Sequence, residues 1–233
     1  MTNLPKIYGF NKTSEMGINL FAPCIFLGGC NLRCKYCMNH KLVNPNKFNL
    51  NDISIDTIKQ YVLENKCEWI NISGGEPTCT VFEELSNLIV ELSSWGCKIG
   101  MSTNGTMPEI LRSILPYLSY VALDIKSSKH SVYEGISASS LTPVLISHCL
   151  LIEAKMKREF DFEVRTTLFP PYVDIKDLHE IKQLVRDSDK WVLQQFRNNI
   201  PMLDSTSSEI EPYSISIIEE FIGDSKNIHL RYV

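Results

Sequence analysis

Six short runs rich in β-branched and aromatic residues recur along this chain, each followed by a helical pattern. Such alternation commits a chain to parallel strands, because a parallel pair needs a long crossover and a helix is the usual one. The runs fall at 18–27, 68–72, 98–102, 120–123, 161–166 and 191–194, and a strand-like run at 228–233 closes the chain. Helical patterns cover 55–64, 81–94, 108–118, 129–134, 142–157 and 175–186, with a last one at about 214–222. Pro108 sits in a first helical turn, where its missing N–H costs nothing, and Gly96 is placed to cap the helix before it. The expected fold is α/β, a partial (β/α)6 barrel of parallel strands with helices on the outside. With 233 residues, 44% of them hydrophobic, one domain over 1–233 is expected.

The glycines, charges and amides that break this pattern fall where strands end. Gly28 and Gly29 follow the first run, Ser73-Gly74-Gly75-Glu76-Pro77-Thr78 the second, and Thr103-Asn104-Gly105-Thr106 the third. Asp124-Ile125-Lys126 follows the fourth, Arg165 and Thr167 lie near the end of the fifth, and Gln194-Gln195-Phe196-Arg197 ends the sixth. A parallel β/α barrel builds its site at that end, so these segments are expected to share one mouth.

Directly after the first strand, Cys30, Cys34 and Cys37 stand in the run Gly-Gly-Cys-Asn-Leu-Arg-Cys-Lys-Tyr-Cys. Three thiolates on one short loop can hold a four-iron cluster by three corners and leave one iron open. A structural zinc site usually draws two separate Cys pairs together, and the chain offers one compact triplet. His40 is near enough to be a fourth ligand, so on this loop alone zinc stays open. Cys24, Cys67, Cys79, Cys97 and Cys149 stand singly in apolar or mixed surroundings and are expected to be buried small hydrophobes.

A net charge of -4 and a pI near 5.8 argue against a nucleic-acid surface. No apolar run approaches the roughly 20 residues of a membrane helix. With no export signal either, the cytoplasm is the expected location.

The cysteine loop, the Gly-Gly-Glu-Pro loop, the Thr-Asn-Gly-Thr loop and the Asp-Ile-Lys loop, in this order and at these strand tips, resemble the radical S-adenosylmethionine (SAM) enzymes. Within that superfamily the chain is similar to activating enzymes of glycyl radical enzymes, and among these to the anaerobic ribonucleoside-triphosphate reductase activating proteins. The narrower likeness is carried by Gly9-Phe10-Asn11-Lys12-Thr13-Ser14, Tyr36-Cys37 with Asn39, Leu123-Asp124-Ile125-Lys126, Val164-Arg165-Thr166-Thr167 and Val192-Leu193-Gln194-Gln195-Phe196-Arg197.

This resemblance implies a radical SAM barrel in which Cys30, Cys34 and Cys37 hold a 4Fe-4S cluster whose fourth iron chelates SAM. It implies Tyr36 beside the adenine and the loop of Gly74, Gly75 and Glu76 at the methionyl amino group. Thr103, Asn104, Asp124, Lys126 and Arg165 complete the implied SAM contacts. The reaction implied is cleavage of SAM to methionine and a 5'-deoxyadenosyl radical, which takes hydrogen from a glycine of a partner, with a low-potential donor such as flavodoxin or ferredoxin supplying the electron. Where related activases place a histidine near the sixth strand tip this chain has Gln194, Gln195, Phe196 and Arg197, and where many read Cys-His-Asn it reads Cys37-Met38-Asn39. No Cys-rich insertion is present, so one cluster is expected. Two other readings stand beside the activase: a radical SAM enzyme acting on a small molecule, in the manner of the deazaguanine-forming synthases, and a zinc-stabilised module without catalysis.

Overall fold

The computed structural model describes residues 3–137, 140–185 and 190–232. One sheet holds eight strands in chain order: β1 (Ile7–Gly17), β2 (Leu20–Leu27), β3 (Trp69–Gly74), β4 (Lys98–Thr103), β5 (Tyr120–Asp124), β6 (Asp161–Thr167), β7 (Trp191–Gln195) and β8 (Ile228–Tyr232). All neighbours are parallel except β1 and β2, so the sheet curls into a half-barrel with its strand tips at one rim. The helices are α1 (His40–Val43), α2 (Ile55–Glu64), α3 (Phe82–Ser94), α4 (Pro108–Ile114), α5 (His130–Ser137), α6 (Thr142–Lys157), α7 (Ile175–Leu184) and α8 (Ile215–Ile222).

The main departure from expectation is at the start. Residues 18–27 are not a single strand: Ile18 and Asn19 turn a hairpin, Asn19 at a φ of 58°, and β1 precedes them. The polar segment of β1 gives no alternating pattern because its register with β2 is broken at three places. The helix expected over 108–118 ends at Ile114 and continues as a 3-10 turn, Leu115–Tyr117, since Pro116 has no N–H to extend the α-helical ladder. The helix expected over 129–134 begins at His130 and reaches Ser137. The expected ends at 186 and 233 lie outside the described residues.

Strand alternation divides the sheet into two chemistries. Ile70, Ile72, Ile99, Met101, Val121, Leu123, Phe162, Val164, Trp191 and Leu193 are buried on the outer face and join one core with Leu85, Leu88, Leu92, Leu111, Val144, Leu151, Leu178 and Ile181 of the helices. Each such side chain contributes roughly 1.5–3 kcal/mol on leaving water. The inner face is different. The register sets Cys24 beside Asn71, Ala122 beside Glu163, Asp124 beside Arg165, Thr167 beside Gln194 and Gln194 beside Arg231, so amides and charges line the cup. Its floor is closed by the end of β1, where fully buried Met16 packs with Ala22, Tyr120 and Ala122. Arg165 donates to the Met16 carbonyl at 2.5 Å and fastens that floor from within the cup.

Candidate functional site

The cysteine loop leaves β2 through Gly29, which has a φ of +89°, a left-handed geometry that glycine adopts without a Cβ penalty. Neighbouring loops clamp it. Gly29 donates to the Leu42 carbonyl at 2.7 Å, the Glu76 N–H donates to the Gly29 carbonyl at 2.7 Å, and the Arg33 N–H donates to the Ile136 carbonyl at 2.6 Å. From the far side, Leu203 donates to the Cys37 carbonyl and Asp204 to the Lys35 carbonyl, both at 3.0 Å. The connection over 196–213 therefore crosses the loop as a strap. Beyond Phe196 and Arg197 its sequence does not mark it as part of the site, because its hold on Lys35 and Cys37 is made mainly by main-chain groups, with only a loose, partly exposed Lys35–Asp204 ion pair of 3.9 Å beside them.

Glycine is required at the next loop for a steric reason. A Cβ on Gly75 would meet the Gly29 carbonyl oxygen at 2.0 Å, and one on Gly74, at a φ of +124°, would meet the Leu27 carbonyl oxygen at 2.3 Å. Glu76, only 1% exposed, accepts four hydrogen bonds. They come from the Thr78 N–H and hydroxyl, from the Thr103 hydroxyl at 2.7 Å and from the Asn104 N–H at 2.6 Å. Burial pushes its pKa up against these donors. The carboxylate thus joins the tips of β3 and β4.

Asp124 and Lys126, two apart at the tip of β5, form an ion pair of 2.5 Å. Burial alone would lower the lysine's pKa, and the Asp124 carboxylate together with Tyr36 and Cys34 outweighs it, so Lys126 stays charged. Tyr36 is buried beside them, within a cluster of rings formed with Phe169 at 5.1 Å and Tyr172 at 5.6 Å. No well-directed hydrogen bond closes on its hydroxyl, although Thr167 and Lys126 lie next to it. Arg165 points into the cup, its Nε on Glu163 at 2.5 Å and its Nη1 3.4 Å from the Ser102 hydroxyl.

All these strand tips line one cavity of about 260 Å³. Cys30, Cys34 and Cys37 form part of its wall with Tyr36, Gly74, Gly75, Glu76, Thr103, Asn104, Asp124, Lys126 and Arg165, so the residues singled out in the sequence are brought together. Gln194, Gln195, Phe196 and Arg197 are there as well, with Ser73, Thr167, Met38 and Asn39, which stand in the strand-tip and cysteine-loop motifs without an assigned contact, and Ser102 and Ile200, which lie outside those motifs. Ser102 is recoverable in principle from the sequence, since it shares strand parity with Asn104.

The thiols fit a cluster. Burial pushes Cys30 up to about 12, with the Glu76 charge adding to it, and Cys34 up to about 11 despite Lys126. Burial raises Cys37 too. Such thiols hold their protons until a metal displaces them. Among the described residues no three His, Cys, Asp or Glu side chains are gathered closely enough for a single metal ion, whereas a four-iron cube spreads its corners over a wider span. His40, the candidate fourth zinc ligand, lies edge-on to Phe48 at 5.9 Å. Of the other five cysteines, Cys24 and Cys97 are buried, Cys67 and Cys79 are half-buried, and Cys149 is exposed on the outer face of α6, contrary to its expected burial.

A half-barrel with three cysteines at the tip of its first parallel strand defines a class, and comparison with known proteins agrees. The sequence model of the Radical SAM superfamily matches residues 24–186, well over half the chain, and the protein belongs to that superfamily. A candidate glycyl-radical enzyme activating enzyme of Methanocaldococcus jannaschii is 29% identical over 179 residues, covering 74% of this chain and 71% of the relative. Among solved structures, SuiB of Streptococcus suis bound to its precursor peptide SuiA superposes with a TM-score of 0.62 at 12% identity, over 87% of this chain but only 46% of SuiB. A domain of the pyruvate-formate lyase-activating enzyme of Bacteroides vulgatus gives a TM-score of 0.57 at 13% identity, covering 71% of this chain and 98% of that domain. The protein is a radical SAM enzyme, and its cofactors are the 4Fe-4S cluster and SAM.

Proposed function

We propose that the protein activates a glycyl radical enzyme, with anaerobic ribonucleoside-triphosphate reductase as the partner. The observation that carries this reading is the convergence of one buried and two half-buried thiols, the glycine loop and the Asp124–Lys126 pair on one cavity that reaches solvent past Met38 and Arg197. The similarity to the Methanocaldococcus relative supports the choice of activase over other radical SAM chemistry.

When bound, the cluster and SAM supply a one-electron cleavage that yields a radical able to take hydrogen from a carbon. The chain's own residues bind, orient and keep water out. Cys30, Cys34 and Cys37 hold the cluster. The backbone at Gly74 and Gly75, fixed by Glu76 and Thr103, leaves room for the methionyl end of SAM. Asp124 and Lys126 offer one charge of each sign to its amino and carboxylate groups, and Arg165 a second positive charge. Tyr36, with Phe169, Tyr172 and Phe196, forms the apolar wall that excludes water from the adenine side. A low-potential donor of the flavodoxin or ferredoxin type would supply the electron.

The test mixes protein rebuilt with iron and sulfide, reduced without air, with SAM and the reductase. A glycyl radical signal in electron paramagnetic resonance is expected. Rapid SAM cleavage without that signal would assign the enzyme to a small-molecule substrate instead. Among the described residues no helix is long and apolar enough to cross a membrane.

A further inference from the structure

Asn104 lines the cavity, yet its side chain is already engaged within the chain. Its Oδ1 accepts from the Thr106 N–H at 3.0 Å and from the Thr106 hydroxyl at 2.6 Å. A backbone N–H can only donate, so this contact fixes which end of the amide is oxygen. The NH2 group is thereby aimed the other way. One of its contacts is the Asn31 Oδ1 at 3.0 Å, and Asn31 Nδ2 in turn donates to the Thr106 hydroxyl oxygen at 2.7 Å. Asn104, Asn31 and Thr106 form a closed ring in which each side chain donates to the next. Such a ring holds the amide in one orientation, since reversing any member would set two donors or two acceptors face to face.

The second contact of that NH2 group is the Cys30 sulfur, at 4.0 Å. Cys30 also receives the Leu32 N–H at 3.4 Å. Asn104 is 5% exposed and Thr106 9%, while Asn31 closes the ring from the exposed side, so the Asn104 amide itself is shielded from water, where a weak N–H to sulfur contact counts for more. Among the described residues no side-chain amide donates to Cys34 or Cys37. The environment of the three sulfurs is therefore unequal.

We infer that Asn104 is a positioning residue for the cluster, its amide locked by Thr106 and Asn31 so that one N–H is directed at Cys30, where it stabilises the reduced cluster and raises its potential. This rests on the cluster of the activase reading and deepens it, moving Asn104 from the implied SAM contacts to the electron-transfer side of the site. Donors to ligand sulfur favour the reduced state because that state carries the extra negative charge. Asn31 is the residue after Cys30, so the tip of β4 is coupled to the cluster loop through side chains the cysteine spacing does not reveal.

The test is a redox titration of the cluster-loaded protein followed by electron paramagnetic resonance, with iron content and SAM binding measured in parallel. Asn104→Leu keeps the branched shape of the side chain, with bulkier methyl ends, and removes the amide. Expected is full iron content, SAM affinity within about twofold of the parent, and a reduced-to-oxidised ratio about tenfold lower at a fixed potential, equivalent to 59 mV for one electron. An unchanged ratio with SAM affinity lost would overturn the inference and return Asn104 to the SAM contacts. An unchanged ratio with unchanged affinity would overturn it too. Should the leucine variant fail to load iron, Thr106→Val carries the test: it removes the hydroxyl that helps orient the amide, and a shift of the same sign supports the inference while none overturns it. The midpoint is read without a partner protein, so it decides Asn104 whether or not a glycyl radical forms. A parent protein that takes up no cluster overturns both.

Discussion

Arg231 on β8 and Glu15 on β1 are joined by an ion pair of 2.9 Å, which ties together the two outermost strands of the sheet. The same guanidinium reaches Glu163 of β6 at 3.0 Å, and Arg165 approaches that carboxylate at 2.5 Å. The open edges of the half-barrel are thus bridged by charged side chains.

Glu163 is fully buried. Burial pushes its pKa up, and the guanidiniums of Arg165 and Arg231 together overcome that and leave it below its ordinary 4.5. A depressed carboxylate pKa means stability that is present above the unfolded-state value and lost as the pH falls through the folded-state one. Glu163→Gln leaves two guanidiniums facing a neutral amide, and an expected cost of roughly 3–5 kcal/mol near neutral pH. The gap between variant and parent should narrow well below pH 4.5, where the parent's own Glu163 becomes neutral. Urea unfolding of both unloaded proteins at neutral and acid pH checks this, and a gap independent of pH contradicts it.

Gly75→Ala and Gly135→Ala separate a glycine needed for space from one that is not. At Gly75 the new Cβ meets a backbone oxygen at 2.0 Å, so the cysteine loop has to shift, an overpacking cost of about 1–3 kcal/mol together with reduced iron uptake. Gly135 lies inside α5, where an added Cβ meets none of the described residues within 4 Å beyond the helix's own backbone, and alanine there is expected to stabilise by about 1 kcal/mol through helix propensity. Thermal unfolding that moves both variants in the same direction argues against this reading of Gly75.

The parallel strands and the strand-tip motifs were legible because each is local: a β-branched run, a helical period, a glycine or amide at the turn. β1 was not, since its pairing with β2 is bulged and its polar stretch over Asn11–Glu15 has no alternation to read. Glu163 and Arg231 were invisible as partners, 68 residues apart and joined only once the sheet curls. The sequence offers the Glu76 carboxylate to a ligand ammonium but does not show its four donors from Thr78, Thr103 and Asn104, which depend on β3 and β4 standing side by side. Sequence spacing finds the residues of a site and leaves open which of them spend their polar atoms on each other.

Cys34→Ala is expected to abolish both the cluster and SAM cleavage, because two thiolates cannot hold the iron cube at three corners. Cys149→Ser, on the exposed face of α6, should leave iron content and deoxyadenosine release at parental levels. The pair is checked by visible absorption and by chromatography of the nucleoside products after anaerobic rebuilding. Retention of the chromophore in Cys34→Ala would remove this cysteine from the ligand set.

Lys126 decides whether the Asp124 pair is architecture or part of the SAM site. Its ammonium is buried with Asp124 at 2.5 Å and with Cys34 and Tyr36 nearby, so the chain bears the desolvation of a charge at the cavity wall. Lys126→Met keeps the stem and its packing and removes only that charge. Asp124 is half-buried, so it can recover water when its partner goes, and folding should survive. If the ammonium faces the SAM carboxylate, affinity falls about tenfold, or 1.4 kcal/mol, with iron content unchanged. Because Lys126 stays charged in the parent, the loss should be the same across the neutral range. Equilibrium dialysis of SAM against the cluster-loaded variant measures it, and parental affinity would make the pair a structural one.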